Sequence, residues 1–348
     1  MKILFIPNWK IIRLNYDNKE IQAPDKIITN TPYWFFKYFP VNTQVSIIDI
    51  GEYFIFSKIE KKIKFYIIQP IKAFYTRNKY DVVISHGAQS GLLYELLCSF
   101  TRKKPQHILF DIGGLNGAKS NKIESFIIKF ALRKKPTIII HSSNQTVLYE
   151  RLYPQLLSKV KFIPFGVDFE YFKNISTQNI IGGYAMSFGY YKRDYSTLLS
   201  VWKDYSIQTS LKIVGWGADK IQYKNVTFIN KLPFYNLVEM INNSRIIIIP
   251  LPEYNYSYGQ MSILQSMALG KVVITMKTTS TVDYIKNAPG VFSVPVNSKA
   301  ALAECVMKTL SLPDNELIVL GKANQTHVKK YFCEEIMAQQ IFQTIKDL

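Results

Sequence analysis

The chain has 348 residues, of which 48% are hydrophobic and 20% are charged, so it can bury a sizeable core, and its length favours two domains. This composition excludes a wholly disordered chain, and no uncharged apolar run reaches the ~18–20 residues that a membrane-spanning helix needs. The 43 Lys and Arg residues against 25 Asp and Glu residues give a net charge of +18, which favours anionic partners such as nucleic acid, anionic lipid or phosphorylated small molecules.

The amino-terminal segment MKILFIPNW predicts an opening strand. It has a single Lys, an apolar run too short for a signal peptide and no cleavage site after it. The three cysteines, Cys98, Cys305 and Cys333, are far apart and form no CxxC motif. We therefore expect buried thiols in a reducing compartment, without a disulfide framework or a zinc site, and a cytoplasmic protein.

Short β-branched runs alternate with amphipathic stretches through the first half of the chain. The predicted strands there are KILFIPN, QVSIIDI, DVVISHG, HILFDIG, TIIIHSS and KVKFIPFG. Near-continuous apolar strands separated by helices are typical of parallel sheets that are covered on both faces.

The excess positive charge is concentrated in this first half. Residues 1–172 contain 25 basic and 13 acidic residues, which leaves a net charge of +12. Within the segment 57–80, basic residues alternate with Ile and aromatic residues: Lys58, Lys61, Lys62, Lys64, Lys72, Arg77 and Lys79. This pattern fits an interfacial segment on an acidic leaflet, and it equally fits a solvated helix that packs its apolar face on the core. Nucleic acid is not expected, because the sequence has no RNP, helix-turn-helix or zinc-finger signature.

The strand pattern restarts in the second half of the chain. The predicted strands there are YAMSFG, SLKIVGWG, VTFIN, RIIIIPL, VVITM and VFSVP. Two successive sets predict an α/β protein of two doubly wound, Rossmann-like domains. We place their boundary in the polar stretch 173–181, which gives domains over 1–172 and 173–333. An amphipathic helix over 334–348 is expected to pack back toward the first domain.

The most informative loop follows the strand RIIIIPL. The sequence PEYNYSYGQMSILQSMALG predicts a loop containing Gly259, then a helix that begins near Met261 or Ser262 and ends at Gly270. Glycine allows close backbone approach. The free amides at the helix start, together with the Ser262 hydroxyl, suit a phosphate.

This segment resembles the nucleotide-sugar motif of family 4 glycosyltransferases, which have the GT-B fold. In that family a glycine-containing loop leads into L-E-A-M-A-x-G-x-P-V-I, and here LQSMALGKVVI (264–274) stands in its place. Four other segments resemble motifs of the same family in the same order: FIPFGVDFEYF, SFGYYKRDYSTLL, KIVGWG and NVTFIN. The resemblance extends from about Tyr80 to the end of the chain.

The resemblance implies that the second domain binds a nucleoside-diphosphate sugar, that the first binds the acceptor, and that they react in the cleft between the domains. The residues at the family's diphosphate-binding positions are Lys192, Arg193, Gly259, Gln260, Met261 and Ser262. Those for the ribose and base are Gln265, Phe228 and Ile229, and those for the sugar are Ser257 and Tyr258. Arg193 is also a catalytic candidate, because a cation neutralises the departing diphosphate.

The sequence departs from the family at its carboxylates. The family's Glu-x7-Glu pair is replaced by Ser257 and Gln265; Gln265 keeps an acceptor oxygen for ribose, whereas Ser257 lacks the carboxylate that the family points toward the sugar. Glu253 is the nearby carboxylate and is more simply interpreted as a solvated loop residue. A strand end that carries a histidine near the sugar in many members carries Asp111 here.

Two side chains at strand ends of the first domain are further candidates. Asp111 is predicted to be a catalytic or acceptor-binding carboxylate, or else a cap or loop brace. His86 is predicted to contact the acceptor or sugar, or else to be a structural hydrogen-bonding residue. His141, at a third strand end, is interpreted as structural.

Together these features predict a cytoplasmic hexosyltransferase, peripheral on the inner face of the cell membrane. By the resemblance it retains the anomeric configuration and needs neither metal nor another cofactor, since no D-x-D motif is present. Its donor would be a nucleoside-diphosphate sugar, with UDP slightly preferred, and its acceptor a glycan or polyprenyl-diphosphate-linked saccharide in surface polysaccharide biosynthesis. Two alternatives stay open: a nucleotide-sugar epimerase on the same fold, and a non-catalytic GT-B scaffold.

Overall fold

The structure is a computed structural model that describes residues 1–51, 60, 66–102, 105–115, 122–176, 181–215 and 224–348, with the backbone alone for 122–125. Four of the seven basic residues of the segment 57–80, namely Lys58, Lys61, Lys62 and Lys64, lie outside the described residues. No helix within the described ranges is long and apolar enough to cross a membrane.

Six parallel strands form the sheet of the first domain. They are β1 (Lys2–Pro7), β4 (Gln44–Ile47), β5 (Val82–His86), β6 (Gln106–Asp111), β7 (Thr137–Ile140) and β8 (Val160–Phe162), in the spatial order β4-β1-β5-β6-β7-β8. A separate parallel pair joins β2 (Ile12–Leu14) to β3 (Lys26–Ile28). The central strands are buried on both faces, which explains why they are apolar at successive positions.

The sheet of the second domain also has six parallel strands. They are β9 (Tyr184–Phe188), β10 (Ser210–Val214), β11 (Val226–Ile229), β12 (Ile246–Ile249), β13 (Val273–Met276) and β14 (Val291–Val294), in the order β11-β10-β9-β12-β13-β14. This is the doubly wound order in which the chain reverses direction across the sheet between β9 and β12, where ligands of such folds bind. The predicted α/β class with two parallel sheets is confirmed.

Helices connect the strands and cover the sheets. The α-helices are α1 (Ile68–Thr76), α2 (Ala88–Ser99), α3 (Lys122–Ala131), α4 (Thr146–Leu152), α5 (Phe169–Ile175), α6 (Tyr195–Asp204), α7 (Phe234–Asn242), α8 (Gln260–Ala268), α9 (Val282–Ile285), α10 (Lys299–Leu310), α11 (Asp314–Tyr331) and α12 (Glu334–Lys346). Short 3-10 helices span Ala23–Asp25, Trp34–Tyr38, Arg77–Lys79, Leu132–Lys134, Ser143–Gln145 and Pro154–Lys159. Helix α8 begins at Gln260, slightly earlier than the sequence predicts.

The last helix, α12, packs against the first domain. Its apolar face, which includes Met337 and Ile341, belongs to the same buried cluster as Phe35 of the 3-10 helix Trp34–Tyr38. The chain leaves the first domain near Val167 and returns to it near Cys333. These two residues form an isolated parallel β-bridge, so the two connecting segments are adjacent. Two neighbouring segments of the chain therefore connect the domains.

A buried carboxylate stands where α12 begins. Glu334 accepts a hydrogen bond from the indole of Trp34 (2.9 Å) and lies 3.4 Å from the ammonium of Lys37, which also pairs with Asp168 (2.5 Å). Burial raises the pKa of Glu334 to about 7, although Lys37 and Trp34 act in the opposite direction. The folded protein therefore binds a proton here more tightly than the unfolded chain does.

We expect this carboxyl to make stability fall as pH rises. Because the pKa of Glu334 is raised to about 7 from 4.5, the unfolding free energy should decline by about 3 kcal/mol between those two values and then level off. Glu334→Gln should flatten this part of the profile in urea titrations at a series of pH values. Glu335→Gln, at the adjacent exposed carboxylate, is the matched control and should keep the slope; equal slopes in all three proteins would contradict the assignment.

Candidate functional site

The start of helix α8 lies beside a guanidinium from the β9–α6 loop. Gly259 precedes α8 with a φ of 77°, and a side chain there would meet Leu251 at 2.7 Å. One terminal nitrogen of Arg193 donates to the Ser262 hydroxyl oxygen (2.9 Å). The cation and the first amides of α8 thus share one location, at the point where the chain reverses direction across the second sheet, which is the arrangement that favours an anion.

The same guanidinium is held by backbone carbonyls. Arg193 Nε donates to the Phe188 carbonyl (3.1 Å), and another nitrogen donates to the Tyr191 carbonyl (3.0 Å). Gly189 makes room for it, because a Cβ on that residue would lie 2.4 Å from Arg193 Nε. Burial lowers the pKa of Arg193, but an arginine remains a cation in proteins. The charge is therefore fixed in position before any ligand arrives, as electrostatic stabilisation of a leaving group requires.

Lys192 lies next to Arg193 in sequence but contacts different groups. Its backbone has a φ of 54°, and its ammonium lies 3.8 Å from the centre of the Tyr256 ring and 5.1 Å from that of Tyr254. Partial burial lowers the pKa of Lys192. The lysine is thus held by cation–π contacts, a role that the sequence analysis missed; the tyrosines at alternate positions in EYNYSYG were its available signal.

The loop that carries Tyr254, Tyr256 and Tyr258 also contacts the first domain. A Cβ on Gly113, in the loop after β6, would lie 2.5 Å from the ring of Tyr256. The Tyr256 ring therefore packs directly on the Gly113 backbone, which has a φ of 101°. This contact brings the carboxyl edges of the two sheets together.

A second set of contacts joins the same two edges. Asp283 of α9 accepts hydrogen bonds from the backbone amide (2.8 Å) and the hydroxyl (2.7 Å) of Ser143. The Tyr284 hydroxyl donates to the His141 carbonyl and accepts from the Phe165 amide (2.9 Å). The sequence analysis did not find Ser143, Asp283 or Tyr284, because nothing local distinguishes them from ordinary loop and helix positions.

The remaining donor-site candidates on the β12–α8 segment differ in their exposure. Met261 is partly exposed at the helix start, whereas Gln265 and Ser257 are buried. The Gln260 side-chain oxygen is buried without a hydrogen-bond partner among the described residues. Tyr258 is buried, and its hydroxyl donates to the Pro252 carbonyl. The polar group of Tyr258 therefore braces its own loop, and the sugar contact by this residue stays a prediction.

The candidate base-binding residues lie at the edge of the second sheet. Phe228 and Ile229 end β11, which is separated from β12 by two strands. The Ile229 carbonyl accepts from the Gly215 amide (3.0 Å), and this bond holds the end of β11 beside the end of β10. Residues 216–223, which follow Gly215, lie outside the described residues.

Asp111 is fully buried at the end of β6. Its carboxylate accepts from the Gly113 amide (2.9 Å), the Tyr149 hydroxyl (2.8 Å) and more distantly from the Leu115 amide (3.4 Å) and the Gln145 side chain (3.5 Å). Burial raises the pKa of Asp111. The carboxylate therefore braces the β6 loop against Tyr149, which fits the alternative of a loop brace, and the catalytic or acceptor-binding role stays a prediction.

His86 is also buried, at the end of β5. Its ring stacks on Phe110 with centres 5.4 Å apart and meets the edge of Trp9 at 4.8 Å. Burial lowers the pKa of His86 to about 3, so the imidazole is neutral near pH 7. Its Nδ1 has no hydrogen-bond partner among the described residues. Aromatic rings surround the imidazole, which fits the structural alternative, and the contact with acceptor or sugar stays a prediction.

Two other sequence interpretations concern His141 and Glu253. Nδ1 of His141 lies 2.7 Å from the Ile163 carbonyl, which fits the structural interpretation. Glu253 is an exposed loop residue, and its carboxylate also accepts hydrogen bonds from the amide (3.1 Å) and the hydroxyl (2.6 Å) of Thr279. Within the described part of the chain, no group of three or more His, Cys, Asp or Glu side chains could hold a metal ion.

Two doubly wound parallel sheets whose carboxyl edges face each other define the GT-B fold. Solved structures with this architecture match the whole chain. They include sucrose-phosphate synthase from Thermosynechococcus elongatus (14% identity over 100% of this chain and 99% of that chain, TM-score 0.69) and HepE from Anabaena with UDP-glucose (14% identity, 100% of each chain, TM-score 0.70). A glycosyltransferase from Rickettsia africae ESF-5 matches with 16% identity over 99% of this chain and 98% of that chain, and a TM-score of 0.65. The predicted GT-B fold is confirmed.

Residues 184–311 match the family model described as "Glycosyl transferases group 1". This range contains the Arg193 loop and helix α8, and it agrees with the resemblance seen in the sequence motifs. No curated protein matches the sequence significantly.

Proposed function

We propose that the protein is a glycosyltransferase that moves a sugar from a nucleoside diphosphate to an acceptor hydroxyl. The observation that carries the proposal is the bond between Arg193 and Ser262, which fixes a cation at the amino terminus of α8. In the reaction, the bond between the anomeric carbon and the diphosphate oxygen breaks, and a bond to the acceptor oxygen forms. Arg193 and the first amides of α8 neutralise the negative charge that develops on the diphosphate.

The mechanism that fits this site retains the anomeric configuration through attack from the face of the leaving group. The acceptor proton passes to the departing diphosphate oxygen, so the protein need not supply a general base. The surroundings of Asp111 and His86 are consistent with this mechanism. Both side chains are buried, and the Asp111 carboxylate accepts a hydrogen bond from the Tyr149 hydroxyl. A cationic arginine at the diphosphate also supplies charge without a metal ion.

The proposed donor is a UDP-sugar, and the proposed acceptor is a glycan or polyprenyl-diphosphate-linked saccharide used to build a surface polysaccharide. HepE, which shares the fold, was solved with UDP-glucose. The net charge of +12 over residues 1–172 supports an anionic acceptor and a peripheral position on the cytoplasmic leaflet.

A thermal-shift panel of UDP-, GDP-, dTDP- and ADP-sugars without added metal tests the donor assignment. A ligand that binds only the folded state stabilises it by about 2.7 kcal/mol at 100 times its Kd, so one nucleotide class should raise the melting temperature clearly. No shift with any class would favour the non-catalytic alternative. Release of free nucleotide or of an epimerised sugar from the bound donor in the absence of acceptor would favour the epimerase.

A further inference from the structure

An exposed aromatic patch lies on the first domain, at the end of helix α2 and on helix α3. It consists of Phe100, Phe126, Ile127 and Phe130. Phe100 is 72% exposed, Phe126 is 70% exposed and Ile127 is 52% exposed. Single exposed apolar residues are ordinary, but contiguous large ones mark a surface that binds something.

The aromatic rings of the patch lie close to one another. The ring centres of Phe126 and Phe130 are 6.5 Å apart, and those of Phe100 and Phe130 are 6.2 Å apart. The Arg133 guanidinium lies 4.1 Å from the centre of Phe130 and also donates to the Ser99 carbonyl at the end of α2 (2.9 Å). The patch is therefore a continuous surface held together by two helices and a cation.

The sequence around the patch is strongly basic. Residues 99–135 contain nine Lys and Arg residues and two acidic residues, one of which is the buried Asp111. Arg102, two positions after Phe100, and Lys129, next to Phe130, are exposed. Arg133 is exposed as well, and its guanidinium lies over the rings of Phe100 and Phe130. Exposed aromatic and aliphatic groups with a basic rim are complementary to the apolar–anionic boundary of a bilayer, whereas a hydrophobic protein partner would not require the excess charge.

We propose that the aromatic patch docks the first domain on a bilayer that contains anionic lipid. Phe126 and Ile127 enter the headgroup region, while Arg102 and Lys129 contact lipid phosphates. This surface differs from the basic segment 57–80 that the sequence singles out. Its use rests on the proposed function, since a lipid-linked acceptor places the reaction at a membrane, but vesicle binding is measured without donor or acceptor.

Co-sedimentation of the full chain with vesicles tests the proposal. The protein should bind mixed phosphatidylglycerol–phosphatidylcholine vesicles more tightly than pure phosphatidylcholine vesicles, and added salt should weaken the binding. The double variant Phe126→Ser, Ile127→Ser should bind the mixed vesicles at least ~10-fold more weakly, because it removes the apolar contact. Arg102→Gln with Lys129→Gln should reduce only the preference for anionic vesicles.

Matched controls come from the second domain. The double variant Met307→Ser, Val319→Ser removes apolar groups that are 43% and 65% exposed there and should bind vesicles like the original chain. All variants change exposed side chains, so their melting temperatures and their thermal shifts with nucleotide sugars should be preserved. Equal loss in the patch and control variants, or no vesicle binding together with concentration-dependent dimers that the patch variant abolishes, would overturn the proposal.

Discussion

Replacement of Arg193 by alanine is expected to remove most of the binding of a nucleotide-sugar donor. A hydrogen bond to a charged group contributes about 1.5–3 kcal/mol, so the Kd should rise by about 10- to 150-fold. Arg193→Lys should recover only part of the affinity, because the guanidinium bonds Ser262 and the Phe188 carbonyl from two different nitrogens, and the single nitrogen of an ammonium cannot reproduce that planar arrangement. Calorimetric titration with the donor found in the thermal-shift panel measures both.

The variant needs a control for its own stability. Arg193→Ala also deprives the Phe188 and Tyr191 carbonyls of their donor, so the melting temperature without ligand should fall slightly. Each thermal shift is therefore compared with the ligand-free state of the same variant. Lys203→Ala, at an exposed cation on α6, should leave binding unchanged. Full donor affinity in folded Arg193→Ala would refute the diphosphate site.

Replacement of Asp111 by alanine is expected to lower the free energy of unfolding by about 3 kcal/mol, because it leaves the buried Tyr149 hydroxyl and the Gly113 amide without their partner. Asp111→Asn should lose less, since an amide oxygen still accepts from Gly113. Urea unfolding of both variants gives these values. The β6 loop that the carboxylate holds also supports Tyr256, so any loss of activity should accompany loss of stability.

A double-mutant cycle with Tyr149→Phe separates the two roles of Asp111. If the carboxylate is a brace, the two substitutions should show a coupling energy of about 0.5–3 kcal/mol in stability. If it touches the acceptor, Asp111→Asn should keep the stability of the protein and lose turnover without coupling to Tyr149. The second outcome would support the catalytic or acceptor-binding role and refute the brace.

The strands and the order of the two domains could be predicted from the sequence because their cause is local. A strand that is buried on both faces must be apolar at each position, and runs such as IIII at 246–249 show this directly. The same holds for the start of α8, where Gly259 has a positive φ that glycine adopts without strain. The short pair β2–β3 was missed, because its partly exposed strands lack that apolar signature.

The roles of individual site residues depended on contacts between distant segments, which local patterns do not encode. Arg193 and Ser262 are 69 positions apart in the chain, and Asp111 and Tyr149 are 38 apart. A carboxylate at a strand end looks the same in sequence whether it faces a cleft or is buried against a tyrosine.

The sequence by itself therefore determined the α/β class, the two parallel sheets and the position of the glycine-led helix, since each follows from burial and backbone conformation within one segment. The tertiary structure alone decided that Arg193 bonds to α8, that Lys192 lies over Tyr256, and that the buried Asp111 carboxylate accepts hydrogen bonds from Gly113 and Tyr149. The physical reason is that hydrogen-bond partners and desolvation are set by which segments meet, and a side chain's chemistry follows from those partners.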